Sequence, residues 1–422
     1  MRTSLLFVAG AALLAPACKW TEFDDLEKET WVSTTKKPNS DSTDFGMAIQ
    51  RGARASASGG KLVAMGSAEV VFTEITFASN GDATTSPGQN LSDQFGIANL
   101  EAQPILLADP ATNEVALVME GVGNQITVFR GEGNLNVIQI FGVQKPDAAT
   151  FITPPPRLDV ADPQVSQPLV AAGDSVFGAH YPMALNPQPR CQLLDEGGTP
   201  FQIRGIGAVK LAATDETDPH DVVVWGANGK LLLYPGGVFH GGGTRGPCTG
   251  DAHGPLASTT PVDTGFQPGR GSQIVMLDDR YALLVGHQDV GNADSYIALY
   301  DLRAMNGGNF EPAPVGNPVT TPDLRTATVL DDGSQKYVVA GYPNATFDGV
   351  RAGNVLVYPL DLTTGIDSTP VMTLHDAQPE SDQQFGRAVA VTEINGRPAI
   401  AVGADNEVFL YFRTALYDDV RQ

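Results

Sequence analysis

Apolar residues in this chain come in short unbroken runs that end in glycine, with polar turns between them. The runs are Val63-Ala64-Met65-Gly66, Val118-Met119-Glu120-Gly121, Val170-Ala171-Ala172-Gly173, Val223-Val224-Trp225-Gly226, Leu283-Leu284-Val285-Gly286, Val338-Val339-Ala340-Gly341 and Ile400-Ala401-Val402-Gly403. Their glycines stand 55, 52, 53, 60, 55 and 62 residues apart. Self-similarity at a period of about 50 residues is the mark of a solenoid, propeller or array.

The surroundings of each run recur as well. An apolar stretch precedes it, such as Thr326-Ala327-Thr328-Val329-Leu330 or Ala388-Val389-Ala390-Val391, and a polar turn joins the two. An aromatic-rich stretch follows, as in Ile126-Thr127-Val128-Phe129, Leu231-Leu232-Leu233-Tyr234, Ile297-Ala298-Leu299-Tyr300, Val355-Leu356-Val357-Tyr358 and Val408-Phe409-Leu410-Tyr411. β-branched and aromatic residues around Asn-Gly or Asp-Gly turns predict strand-turn-strand. No stretch shows the 3.6-residue helical period. Runs apolar on both faces predict small sheets packed between two similar sheets. The expected fold is therefore all-β, a seven-bladed β-propeller over residues 41–413. Each recurring glycine either supplies a positive φ or lets two backbones approach closely.

Four segments carry Phe-Gly: Asp44-Phe45-Gly46-Met47-Ala48, Gln94-Phe95-Gly96-Ile97-Ala98, Val176-Phe177-Gly178-Ala179 and Gln384-Phe385-Gly386-Arg387-Ala388. Three begin a repeat, whereas Phe177-Gly178 falls after the glycine of its own repeat. Phe-Gly, an apolar strand, a turn and an Ala-Val-Gly-Ala-like run resemble the FG-GAP repeat of integrin-α-type propellers, most closely at residues 385–412. The resemblance implies a seven-bladed ring of the kind found in bacterial exported lipoproteins. Because the last repeat ends near Arg413, it also implies that the outer strand of that blade comes from Thr30-Trp31-Val32-Ser33-Thr34, a clasp within 18–40, leaving 414–422 as a tail. Calcium-binding Asp-x-Asp-x-Asp-Gly turns are common in that family. The equivalent turns here, Asp331-Asp332-Gly333, Glu393-Ile394-Asn395-Gly396 and Asp215 to Asp221, are eroded, so simple turns and no cofactor are expected.

Arg2, the apolar stretch Leu5 to Leu14 and Ala15-Pro16-Ala17 have the layout of a secretory signal over residues 1–17. Cleavage after Ala17 leaves Cys18 first, and the segment resembles a bacterial lipobox, departing from it at Ala15 and Pro16. Two readings follow, a lipid on Cys18 or plain secretion with a free thiol. Lys19 after a lipidated cysteine would imply outer-membrane sorting. With Cys18 lipidated, Cys191 and Cys248 remain, at nearly equivalent places in adjacent repeats. They form either a disulfide or two buried thiols.

Acidic residues outnumber basic ones 48 to 26, for a net charge of −22. Nucleic acids and anionic lipid surfaces are excluded as partners, since both require basic patches. His240-Gly241-Gly242-Gly243 lacks the nucleophile elbow an esterase loop requires. His240, Cys248, Asp251 and His253 match no compact zinc spacing. The segments Pro235–Gly269 and Gly131–Pro155 are the longest insertions and the first places to seek a binding surface. Asp44, Asp93 and Asp382 precede three blade starts, where an Asx-turn cap explains them. The expected role is non-catalytic: adhesion, scaffolding, or recognition of a protein or glycan by a membrane-tethered protein of the bacterial envelope. The alternative is an exported hydrolase or lyase, marked by His, Asp and Arg converging on the central channel; a neutral channel marks a binder.

Overall fold

A computed structural model describes residues 31–33, 48–51, 61–65, 71–77, 83–85, 89–90, 105–108, 115–121, 125–130, 136–141, 145–152, 167–178, 190–211, 220–236, 249–287, 294–347, 349–376, 378–394, 397–405 and 407–411. The signal, Cys18, Lys19, Asp44, Asp93, the segment Asp215–Pro219, His240 to Gly243 and Cys248 lie outside them, as does the tail 414–422. All named elements are β-strands, in a β-propeller. Among the described residues no helix is long and apolar enough to cross a membrane.

The expectation of seven blades is corrected to six. Six blades are each founded on a contiguous piece of chain, starting at the inner strands Ala48–Arg51, Ile105–Ala108, Ala148–Ile152, Ile203–Val209, Gln273–Met276 and Thr326–Asp331. Among the described residues the last repeat gives three strands, Ala388–Ile394, Arg397–Ala404 and Glu407–Tyr411. Trp31–Ser33 runs antiparallel beside the third of these, with Trp31 opposite Leu410. Inner strands neighbour one another in chain order, and Ala388–Ile394 lies beside Ala48–Arg51.

Strand parity explains the unbroken apolar runs. In blade four, Val222 and Val224 pack toward blade three with Ala171, Val176 and Cys191. Val223 and Trp225, one residue out of phase, pack toward blade five with Leu284, Tyr296 and Ala298. Blade six repeats the split: Val338 and Ala340 face blade five, Val339 the last repeat. The middle strands of blades four and six thus each serve two cores, and each fully buried Val or Leu contributes about 1.5–3 kcal/mol.

The recurring glycines take both roles, unequally. Gly173 has φ +63° and turns the chain. At Gly226 a Cβ would stand 2.8 Å from Phe201 Cδ2, and at Gly286 2.6 Å from Phe266 Cε1 and 2.7 Å from Trp225 Cη2. At Gly341 it would strike the backbone of Gly386, 2.9 Å from the carbonyl carbon and closer to the oxygen. Close approach dominates: a ring before an inner strand, Phe201 or Phe266, fills the slot the glycine leaves. Phe385 of the last Phe-Gly is wholly buried against Phe409, ring centroids 5.1 Å apart. Phe177 lies in the third strand of blade three, Ser175–Gly178, and starts no blade.

Turns at one end of the barrel are held by aspartates. Asp331 accepts from Gly333 N–H, Asp332 from Ser334 and Gln335, and Asp361 from Thr363 and Thr364. These carboxylates do the work of turn caps. Hydrogen bonds from the Thr363 hydroxyl and the Thr363 and Thr364 amides pull the Asp361 carboxyl down to about 2. A depressed folded-state value contributes stability above the ordinary carboxylate range that is lost as pH falls toward it. The melting temperature should therefore fall between about pH 4 and pH 2 with a shallower slope in Asp361→Ala. An unchanged slope would refute this role.

Candidate functional site

Inner strands of a propeller run in one sense about the axis, so their first residues share one rim. At that rim Asp147 precedes the inner strand of blade three. Its side chain is 4% exposed. Asp147 Oδ2 accepts from Gly173 N–H at 2.7 Å, and Oδ1 accepts from Arg204 Nη1 of blade four at 2.8 Å. Arg270 Nε, ahead of the inner strand of blade five, is 3.5 Å from the same Oδ1. Burial pushes the Asp147 carboxyl up, opposed by the Gly173 amide and both guanidiniums. Arg204 Nη2 also donates to Gln202 Oε1 at 2.8 Å.

The rim continues around the axis. Arg325, just before the inner strand of blade six, places Nη1 3.1 Å from His287 Nε2 of blade five. Arg387, just before the last inner strand, lies 3.6 Å from Asp405. Farther out, Asp174 binds Ser175, Arg190 and Gln192. Asp174 feels burial, which raises its carboxyl, but these three partners outweigh it and hold the group below its ordinary range. Below the rim, the described channel wall of blades three to six and the last repeat is neutral. In blades three to six and the last repeat, the inner strands read AATFI, IRGIGAV, QIVM, TATVLD and AVAVTEI, with ionisable residues only near their ends.

The insertion 235–269 is more than a loop, which corrects the sequence reading. Thr249–His253 crosses back to blade three and adds a fifth strand, parallel to Arg190–Leu193 with Arg190 opposite Thr249. Leu194 N–H donates to His253 O at 2.8 Å. The chain then bonds to the hairpin of blade five through Thr260 N–H to Phe310 O and Phe310 N–H to Ser258 O. It returns to blade four as Val262–Asp263. One segment therefore ties three blades at their outer edges. Cys191, fully buried, is the neighbour of Arg190; Thr249, opposite Arg190, follows Cys248.

Asp382 is not the turn cap expected. Its own φ is +63°, its N–H donates to Arg351 O, and its carboxylate is 3.9 Å from Arg351. Among the described residues, no three His, Cys, Asp or Glu side chains gather as a metal site. Sequence reading missed the rim arginines, whose offsets from the strand starts vary. It also missed Phe201 and Phe266, which lack a following glycine.

No family model matches the chain, and no curated protein matches it. Solved structures do. A chain in the structure of Chaetomium thermophilum Polycomb Repressive Complex 2 bound to GSK126 is similar with a TM-score of 0.54 and 11% identity, over 91% of this chain and 97% of that one. A chain in the crystal structure of BBS1N in complex with ARL6DN, soaked with lead, is similar with a TM-score of 0.50 and 12% identity, over 91% and 97%. At such identities the likeness shows a shared propeller fold.

Proposed function

We propose that this protein is a non-catalytic binding or scaffold propeller, tethered to a bacterial membrane outside the cytoplasm by a lipid on Cys18. The neutral channel wall of blades three to six and the last repeat carries this reading. A rigid ring with charges confined to its rims suits surface recognition, and catalysis inside a channel requires convergent ionisable groups there. The fold supports it too, since the similar chain of BBS1N is found in complex with ARL6DN. The partner is a protein or glycan.

Three finer features belong to the same reading. The last repeat and Trp31–Ser33 close the ring together, in the manner of FG-GAP propellers; their antiparallel pairing supports this. Cys191 and Cys248 form a disulfide, supported by the register of Arg190 with Thr249 and by the disulfide-bonded, fully buried state of Cys191. The lipobox-like segment with Lys19 directs the protein to the outer membrane.

A second reading, a hydrolase or lyase at the rim, draws on the convergence of Asp147, Arg204, Arg270, His287 and Arg325. Against it, both Asp147 oxygens are engaged by the protein's own donors.

The test uses tagged full-length protein in a Gram-negative host. Radiolabelled palmitate should enter the wild type and not Cys18→Ser, and an envelope partner should be retained by both after detergent extraction. Label surviving in Cys18→Ser would sink the anchor. Trp31→Asp should lower the melting temperature of the same protein by several degrees; an unchanged value counts against the clasp.

A further inference from the structure

We propose that the outer strand of blade two pairs edge to edge with the same strand of a second copy of this chain, joining two rings as a two-fold dimer. This goes beyond the binding reading above and stands apart from the lipid on Cys18.

The strand is Asn136–Phe141, inside the insertion Gly131–Pro155. Its residues pair in unbroken antiparallel register with the third strand of the blade, from Asn136 opposite Arg130 to Phe141 opposite Gln125. It ends its sheet, and among the described residues no strand pairs with its other side. Such an edge presents a row of backbone donors and acceptors, a template for one more strand. Its sequence, NVIQIF, holds no proline, no glycine and no charge, so nothing within it blunts the edge.

The other outer edges are short, covered or interrupted. Blade one ends in Ala83–Thr85 and Gln89–Asn90, blade four in Val262–Asp263, and blade six in Gly365–Ile366 and Met372–Leu374. In blade three the edge is covered by Thr249–His253, which carries Gly250, Asp251 and a register shift. Blade five ends in the longer strand Ala313–Pro322, interrupted by Pro314, Pro318 and a register shift of its own. Among the described strands, blade two alone keeps a long plain edge.

The order of residues along this strand selects the occupant. A two-fold axis through Gln139 sets Val137 opposite Phe141 and Ile138 opposite Ile140, with Gln139 opposite its own copy. Every pair beside the central one is then β-branched or aromatic, the kind that stabilises an antiparallel ladder. Moving the axis to Ile138 would instead set Val137 opposite Gln139 and Asn136 opposite Ile140, so the register is specified. Two copies of a chain with a net charge of −22 repel, and an uncharged strand lets them meet with no like charges opposed. One patch pairing with itself closes at two copies, so no filament grows. An edge ladder is smaller than a standard interface, which sets the expected dissociation constant on the order of micromolar.

Sedimentation velocity of the full chain between about 1 µM and about 100 µM should show monomer passing to dimer and nothing larger. Gln139→Lys and Gln139→Glu each put like charges on the axis and should weaken the dimer at least about tenfold. An equimolar mixture of the two should restore it, because opposite charges then face each other. Thr320→Lys, exposed on the outer strand of blade five, should change nothing. In the wild type, amides of 136–141 should exchange more slowly at the higher concentration, a readout that needs no variant. A chain monomeric throughout, a species larger than a dimer, or equal exchange at both concentrations would each overturn the pairing. So would folded Gln139 variants that dimerise like the wild type, a mixture of them that stays monomeric, or equal weakening by Thr320→Lys. The binding reading stands under any of these results, since it rests on the channel wall.

Discussion

Gly341→Ala should lower the free energy of unfolding by about 3 kcal/mol or more, among the largest losses a single methyl group can cause. The added Cβ would lie 2.9 Å from the carbonyl carbon of Gly386, with the oxygen nearer still. What it meets is backbone, so no side chain can swing away. Relief requires the start of the last inner strand to move off blade six. That would loosen the cluster in which Val339 and Val355 pack with Phe385, Val402 and Phe409. Gly333→Ala is the matched control. Gly333 has φ +84° with nothing within 4 Å of the added atom, so its cost is conformational, about 1–2 kcal/mol. Denaturant midpoints of the two variants decide the matter. Equal losses would mean that close approach at Gly341 is not what its glycine serves.

Asp147→Ala is expected to cost about 3–5 kcal/mol, since it strands a buried guanidinium. Arg204, whose side chain is 9% exposed, would lose its ion pair, and Gly173 N–H would lose its acceptor. Replacing both charges should cost less than removing one. Asp147→Ala with Arg204→Met should therefore recover most of the loss, a coupling of about 1 kcal/mol or more in a double-mutant cycle. Strictly additive single losses would show that the pair does not join blades three and four.

The repeating architecture was legible because each middle strand must be apolar on both faces, a demand that leaves its trace in every repeat. Val222 to Trp225 reads as one continuous run since odd and even positions enter different cores. The blade count was less legible: sequence similarity counts repeats, whereas a blade is a set of paired strands, and the last repeat contributes three of its own. The rim was illegible for a related reason. Arg325 and Arg387 precede their strands by one residue, Arg270 by three, and Arg204 lies one inside. Side chains this long reach the same rim from different backbone positions, so no fixed spacing records it. Phe201 and Phe266 were hidden similarly, because their rings reach the slot above Gly226 and Gly286 without the Phe-Gly pair. Thr249–His253 pairs through its backbone in a parallel ladder, and the sequence around it, rich in glycine and threonine, carries the pattern of a loop.

That crossing strand has a consequence for how the chain assembles. Blade three begins at Ala148, yet its sheet is complete only with His253, after the first three strands of blade four. As the chain leaves the ribosome, blade three must wait, its outer edge open, until about a further blade's length has emerged. The two blades then finish together. At this place in the ring the smallest completed step of assembly is therefore a pair of blades.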